Sequence, residues 1–342
     1  MTKLVDVTRD HPEAAHCDAL YEVRDERVGL HAFIALHDIS RGAGYGGIRR
    51  RTYTSARAAV HEVVGLAEQM TLKTAFAGLS AGGAKAVILD APGLDREHIY
   101  ESLGRAIELL DGAFIAGPDV GTSDVELAAL RHTAHFVTPA EADPARSAAT
   151  GVLIACREAL RFLAIDLPLP VVVAGVGTVG SLVARGLHAE GRSLRVADIE
   201  HARALALALE LGAEVVAAED ALYLDALLLA PCAIGPVITS SNVDRFRARV
   251  ICGSANQQLE DETLAHALAE QGVLYVPDFA VNAGAVIEGV LRQQARSSTH
   301  DAATLEASIA RSIQAIGPRL RDLLESAQKA DVTPLEAALM SL

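Results

Sequence analysis

The chain has 342 residues, enough for about two domains at roughly 150 residues each and too few for three. Hydrophobic residues make up 51% and charged residues 22%, which supplies apolar surface for two cores and excludes intrinsic disorder as the main state. A formal net charge of −14 argues against non-specific binding to nucleic acid or to an anionic membrane, both of which need a positive field; it leaves room for a local anion site.

Cys17, Cys156, Cys232 and Cys252 are scattered without a CxxC pair, so buried free thiols in a reducing compartment are expected, not a zinc site or a disulfide framework. The opening residues, MTKLVDVTRDHPE, lack the apolar stretch of a signal peptide. Two charge-free windows, 167–184 and 226–243, are both interrupted by prolines and cannot form an apolar spanning helix. A soluble, cytoplasmic chain is the expectation.

In chain order, residues 20–39 alternate and predict strands with a turn near Asp25–Arg27. The glycine-rich segment 42–47 follows, then a helix from Ser55 to Gln69, with Ala58, Ala59, Val63, Leu66 and Ala67 at helical spacing and Ser55 as N-cap. Ala86–Leu89 reads as a buried strand, Asp95–Leu110 as an amphipathic helix, and Ala113–Ile115 as a strand leading to Gly117-Pro-Asp-Val-Gly121. Thr138–Thr150 has two prolines and little apolar content, the mark of a linker. Beyond it come a helix over Gly151–Leu163, a β-branched strand Val171–Ala174, a helix Ser181–Glu190 and a strand Leu194–Ala197. This alternation continues to about residue 280 and predicts a parallel, doubly wound sheet. From about Val290 the pattern is helical, with a break at Gly317-Pro318. The fold class expected is therefore α/β with two domains. An N-terminal α/β substrate domain spans 1–138 and a linker 139–150. A Rossmann-type dinucleotide-binding domain spans 151–289, and a helical segment, 290–342, packs back on the first domain.

Gly175-Val176-Gly177-Thr178-Val179-Gly180 joins the β-branched strand to the next helix, and Asp198 ends the following strand, 18 residues after the third glycine. Glycines there let the backbone approach a pyrophosphate at a helix N-terminus, where unpaired N–H groups and the helix dipole attract anions. A carboxylate at Asp198 would accept hydrogen bonds from the adenosine ribose and repel a 2′-phosphate, so the cofactor expected is NAD and not NADP. The bland alternative is a merely tight strand–helix turn.

Lys73, in MTLKTA, and Lys85, in GGAKAVI, lie among small or apolar residues, with no acidic residue between Glu68 and Asp90. Lost hydration and a second ammonium nearby would both lower a lysine pKa toward catalytic usefulness; structural lysines in a tight loop are the alternative. Asp119 follows a buried strand and is placed for chemistry, with a turn or N-cap aspartate as the alternative reading.

The stretches Gly44-Tyr-Gly-Gly-Ile-Arg49, MTLKTAFAGLSAGGAKAVI (70–88), GPDVGT (117–122), GVGTVG (175–180), APCAIG (230–235), GSANQQL (253–259) and YVPDFAVNAGAVI (275–287) resemble, in order, the amino-acid dehydrogenase family of leucine, phenylalanine, valine and tryptophan dehydrogenases, with glutamate dehydrogenase more distant. The resemblance implies NAD-dependent oxidative deamination of an L-amino acid to a 2-oxo acid and ammonia, in a homo-oligomer of two or more subunits. It implies Lys85 as acid/base catalyst, Asp119 as proton carrier for the substrate nitrogen, and Lys73 as the cation for the α-carboxylate, with Gly46 and Met70 beside the substrate. Asn282 would hold the nicotinamide carboxamide, and Cys232, Ala233, Ala255 and Asn256 would line the cofactor.

Three positions depart from the family pattern. Gln257 stands where a second asparagine usually helps bind the carboxylate, Ala84 places a methyl beside the catalytic lysine, and Ala148 replaces a threonine that supports the nicotinamide. Positions that line the side-chain pocket of the leucine enzymes correspond to Tyr45, Gly117, Val286 and Gly289. Two glycines enlarge that pocket, which favours a bulky or aromatic amino acid. A branched-chain substrate is the alternative, and an NAD-binding regulatory subunit of low activity a further one.

Overall fold

A computed structural model describes residues 1–165, 167–296 and 301–341. The chain divides into two units, Met1–Ala142 with Val286–Leu305, and Asp143–Ala285 with Glu306–Leu342.

The first unit is built on six strands: β1 (Lys3–Asp6), β2 (Ala19–Asp25), β3 (Leu30–Asp38), β4 (Gly44–Arg51), β5 (Gly82–Leu89) and β6 (Phe114–Gly117). They lie in the order β1-β2-β3-β5-β4-β6. β4 is parallel to both β5 and β6, while β1, β2, β3 and β5 run antiparallel in succession. Three helices cover the sheet: α1 (Ala56–Phe76), α2 (Arg96–Leu109) and α3 (Asp124–Arg131). One face packs Ile34, Ala84, Ala86 and Ile88 against Ile99, Leu103 and Leu127 of α2 and α3. The other packs Phe33, Ala35 and Val87 against Ala59, Val60 and Val63 of α1. Strand alternation thus sends successive residues of β5 to opposite layers.

Two elements run longer than their sequence pattern suggests. The glycine-rich segment does not loop but forms most of β4. Helix α1 starts as expected, with the Ser55 hydroxyl accepting the Ala58 N–H at 3.1 Å, but continues seven residues past Gln69 to Phe76. Lys73 therefore sits on the last helical turn and not in a tight loop.

The second unit carries β7 (Val171–Ala174), β8 (Leu194–Ala197), β9 (Glu214–Val215), β10 (Leu228–Pro231), β11 (Val250–Ile251) and β12 (Leu274–Tyr275). All pairings are parallel, in the order β12-β11-β10-β7-β8-β9, the doubly wound order of a Rossmann sheet. Helix α4 (Pro144–Leu163) precedes β7 and α5 (Thr178–Ala189) follows it. The linker expected over 139–150 is shorter than that, because α4 begins seven residues before Gly151. Pro144 takes the first helical position, where a missing N–H costs nothing, and the Asp143 carboxylate caps the Arg146 N–H at 3.1 Å.

The helical tail also departs from expectation. Residues 286–305 group with the first unit, but 306–342 group with the second. The helix Ile316–Ala330 is tied to α4 by Arg321, whose guanidinium donates to Glu158 at 2.7 and 3.2 Å. Gly317-Pro318 marks the start of this helix, where proline is tolerated, so the break falls just before it. Among the described residues no helix is long and apolar enough to cross a membrane.

Candidate active site

In the first unit, β4 and its neighbours collect the expected substrate residues by register. Tyr45 is level with Gly83 of β5 and Ile115 of β6, and Gly46 and Gly47 are level with Ala116 and Gly117. A Cβ at Gly46 would fall 1.6 Å from the Ala84 carbonyl oxygen, so only glycine fits. At Gly47 a Cβ would meet the Pro118 carbonyl at 2.5 Å and Asp119 Cβ at 2.8 Å. Absence of that side chain lets the turn after β6 fold back over β4 and bring Asp119 to Lys85.

Lys85 lies on the α1 face of β5 and is 6% exposed; its Nζ is 2.5 Å from Asp119 Oδ2. The nearest charged neighbour is thus a carboxylate and not the second ammonium expected from the sequence. Asp119 also accepts the Val120 N–H at 2.7 Å. Arg49 reaches it from β4, Nε to Oδ2 at 3.2 Å, and the Arg49 Nη1 donates to Glu62 of α1 at 2.7 Å. Burial alone would raise the Asp119 pKa; the Lys85 ammonium and the Arg49 guanidinium outweigh it and hold the carboxyl well below its usual range. Arg49 is itself buried, and Asp119 and Glu62 both compensate its charge.

Sequence reasoning missed Arg49 and Glu62. The signal was present: Arg49 alternates with Tyr45 and Gly47 on one side of a strand, and Glu62 stands beside Val60 and Val63 on the buried stripe of α1.

Lys73 is 9% exposed on the last turn of α1, where carbonyl dipoles favour a cation; Met70, one turn earlier, is half-buried. The methyl of Ala84 does not lie beside Lys85. It points to the opposite face of the sheet, into the core shared with α2, because neighbouring residues of a strand face opposite ways. The two pocket glycines also differ. A Cβ at Gly117 would already meet Thr138 Oγ1 at 3.1 Å, so little volume is open there, whereas one at Gly289 meets nothing within 4 Å. Tyr45 and Val286 are both buried, at 6% and 9% exposure.

In the second unit the glycine turn connects β7 to α5. Gly175 has φ +95°, and a Cβ on it would meet the Ala233 nitrogen at 2.8 Å and the Cys232 carbonyl carbon at 2.9 Å. This close approach places the Cys232–Ala233 segment, after β10, against the turn. The Cys232 N–H donates to the Ala174 carbonyl at 2.7 Å, and burial pushes its thiol up to about 11, away from a nucleophilic thiolate. Gly177 caps α5 with no side-chain partner, and a Cβ on it meets nothing within 4 Å; the first-turn N–H groups of Thr178, Val179 and Gly180 have no intrahelical acceptor, as at any helix start.

Asp198, at the end of β8, accepts N–H groups of Val176 and Glu200, each at 2.9 Å, and Arg203 Nη1 at 3.3 Å. Burial would raise its pKa; these hydrogen bonds and the guanidinium prevail and keep it below the ordinary value. Asn282 donates through Nδ2 to the Ser254 carbonyl at 3.1 Å and to Asn256 Oδ1 at 3.0 Å, while its own Oδ1 is buried without a partner. A buried orphan acceptor, an uncapped glycine-opened helix start and an ionised aspartate after the next strand fit a dinucleotide with a carboxamide at one end. Ala255 is buried in the same loop as Asn256. Gln257, the next residue, is exposed and has φ +50°, and Ala148 lies on the first turns of α4.

Residues 16–135 match the Glu/Leu/Phe/Val dehydrogenase dimerisation domain, and residues 192–341 match the Glutamate/Leucine/Phenylalanine/Valine dehydrogenase domain. The chain is 36% identical over 274 residues to leucine dehydrogenase of Bacillus cereus, covering 77% of this chain and 75% of that protein. It is 30% identical over 352 residues to phenylalanine dehydrogenase of Caldalkalibacillus thermarum, covering 98% and 91%. Its fold is similar to the crystal structure of L-tryptophan dehydrogenase from Nostoc punctiforme, with a TM-score of 0.79, 29% identity, and coverage of 98% of this chain and 96% of that one.

Proposed function

The chain belongs to the Glu/Leu/Phe/Val dehydrogenase family, and on that footing we propose that it catalyses NAD-dependent, reversible oxidative deamination of a bulky hydrophobic or aromatic L-amino acid. The observation that carries this reading is the buried Lys85–Asp119 pair at 2.5 Å, an acid and a base in direct contact.

Lys73 binds the substrate α-carboxylate, with Gly46 and Met70 beside it. Asp119, held ionised by Lys85 and Arg49, accepts a proton from the substrate ammonium, leaving an amine whose α-carbon can lose hydride. NAD, when bound by the Gly175–Gly180 turn, Asp198 and Asn282, supplies the hydride acceptor. With Asp119 neutralised by the substrate proton, Lys85 releases its own proton to solvent; as an amine it takes a proton from the water that adds to the resulting imine carbon, and Asp119 returns its proton to the nitrogen. Lys85 hands the proton taken from water to Asp119 across their contact and, an amine again, takes up the hydroxyl proton as ammonia leaves and the carbonyl forms; Asp119 then returns its proton to solvent, which restores the ion pair. Three roles are thus filled by a fixed cation, a lysine acid/base and a carboxylate proton carrier.

Bulky side chains are favoured by the open space beside Gly289, with Tyr45 and Val286 as apolar walls. A homo-oligomer in the cytoplasm is part of the same reading, supported by the match of 16–135 to a dimerisation domain. The test is NADH formation, with ammonia release in equal amount, across all standard L-amino acids. Turnover with phenylalanine or tryptophan above that with leucine and valine supports the reading; highest turnover with leucine or valine favours the branched-chain alternative, and no turnover with any amino acid overturns it.

A further inference from the structure

The corner where β3 meets α1 carries a group of side chains that the dehydrogenase chemistry does not use. His16 lies in the turn before β2, His37 near the end of β3, and Glu68 on α1. One ligand atom from each converges with the others to within 4.8 Å. The His16 and His37 rings are edge-to-face, with centroids 5.5 Å apart. Among the described residues, the side-chain hydrogen bond of His37 goes to Thr71 and not to His16 or Glu68.

Local structure holds the two histidines together independently of any ion. The Asp18 N–H donates to the His37 carbonyl at 3.0 Å, and the Asp18 carboxylate accepts the Ile39 N–H at 2.7 Å, so the backbone after His16 is clasped to the chain at His37 and two residues beyond it. His37 is oriented by Thr71. Its Nδ1 lies 2.9 Å from Thr71 Oγ1, and that hydroxyl donates to the Ala67 carbonyl at 3.5 Å. The pairing with Thr71 fixes the orientation of the ring through Nδ1 and leaves Nε2 on its other side, the arrangement in which a second partner orients a metal-ligating histidine.

We propose that His16, His37 and Glu68 bind one divalent ion of the zinc class, with water completing the coordination. Two imidazole nitrogens and one carboxylate are a donor set for zinc, and hard cations such as magnesium or calcium prefer all-oxygen sites. His16 and Glu68 are exposed and free to close on an ion from solution, while His37 is half-buried and positioned in advance. The ion clamps three elements: the turn before β2, the end of β3 and the C-terminal half of α1. Thr71 extends the clamp toward the substrate lysines, since Lys73 follows two residues later, and a Cβ at Gly83, two residues before Lys85, would meet Thr71 Oγ1 at 2.3 Å. Occupancy stabilises the helix end that presents Lys73, by binding only the folded arrangement.

The test is zinc titration of the full-length, chelator-treated protein by calorimetry, with cobalt absorption as a second readout and no activity measurement required. One zinc per chain is expected, with a cobalt spectrum of low coordination number and a zinc-dependent rise in Tm. His16→Ala and Glu68→Gln, both at exposed positions, each weaken binding by about tenfold or more and remove the Tm rise. His61→Ala, an exposed histidine on the same helix outside the cluster, leaves binding unchanged. Absence of stoichiometric zinc binding, or equal binding by His16→Ala and Glu68→Gln, overturns the proposal.

Discussion

Arg49 and Lys85 grip the same carboxylate oxygen: Arg49 Nε lies 3.2 Å and Lys85 Nζ 2.5 Å from Asp119 Oδ2. The proton carrier of the proposed reaction is thus held between two cations, one fixed and one catalytic. Glu62 compensates the fixed cation from the far side, so Arg49 is anchored whether or not Asp119 is charged.

This arrangement sets the acid limb of the pH profile. Both cations lower the Asp119 pKa, so the ionised form that accepts a substrate proton persists to low pH. Arg49→Gln removes one cation and raises that pKa. The acid limb of kcat/KM then moves to higher pH, with the greatest loss at the acid end and the least in alkaline solution. Arg49→Lys restores part of the shift. A uniform loss at every pH would show that Arg49 acts on folding and not on Asp119.

In the proposed reaction cofactor choice rests on Asp198, whose carboxylate is paired with Arg203 at 3.3 Å. Asp198→Ala removes the charge that repels a 2′-phosphate and frees a guanidinium that can receive one. The ratio of kcat/KM for NAD over NADP falls by about tenfold or more, measured with one amino acid at saturation. Equal use of both cofactors by the unaltered enzyme would contradict the role given to Asp198.

Substrate size is read from Gly289. A Cβ there meets no atom within 4 Å, so Gly289→Val fills open space without displacing neighbours. Preference then shifts from phenylalanine toward valine by about 1–3 kcal/mol, or 10–200-fold in relative kcat/KM. Gly117→Ala gives a smaller shift, because its methyl is stopped by Thr138 Oγ1 at 3.1 Å. A larger effect at Gly117 than at Gly289 would reverse this assignment.

Stability of the first unit at low pH depends on Asp25. Its side chain is fully buried and accepts hydrogen bonds from Arg27 at 2.7 Å and Ser102 at 3.0 Å. The Arg27 hydrogen bond is the main reason its folded pKa lies far below the ordinary carboxylate value. A depressed folded pKa stabilises above the unfolded pKa and is lost as pH falls below it, so the contribution is complete at pH 7 and fades below about pH 4. Asp25→Asn lowers Tm at pH 7, and the gap from the unaltered protein narrows as pH is reduced below 4. A gap that stays constant with pH would show that packing, not charge, is what Asp25 supplies.

The dinucleotide half was the more legible in sequence. Val171–Ala174 is a strand with the bounds its apolar run suggests, because a strand buried on both faces needs β-branched or apolar residues throughout; Leu194–Ala197 keeps its expected bounds although the half-buried Arg195 interrupts the run. The two-residue strands β9, β11 and β12 leave too short a pattern to read, and the strand order is set by packing of distant segments. Helix α1 outruns its sequence pattern because Thr71, Lys73 and Thr74 interrupt its apolar stripe. Pro144 looked like a linker residue but starts α4, since proline at a first helical position and proline in a loop read alike without the following turn. At the site, the glycines, Lys73, Lys85 and Asp119 were visible as residues. The cation that binds Asp119 was not, because the pairing joins Arg49 to a residue 70 positions away.

The measurement that bears most directly on the proposed chemistry compares the unaltered protein with Lys85→Ala, reading NADH formation from the best L-amino acid and, separately, NAD affinity. Lys85 belongs to the first unit and the dinucleotide turn to the second, so the variant leaves the cofactor residues untouched. In Lys85→Ala kcat falls by about 10²–10⁴-fold or more while NAD affinity changes by no more than about twofold. Near-normal turnover by Lys85→Ala would contradict the proposed chemistry.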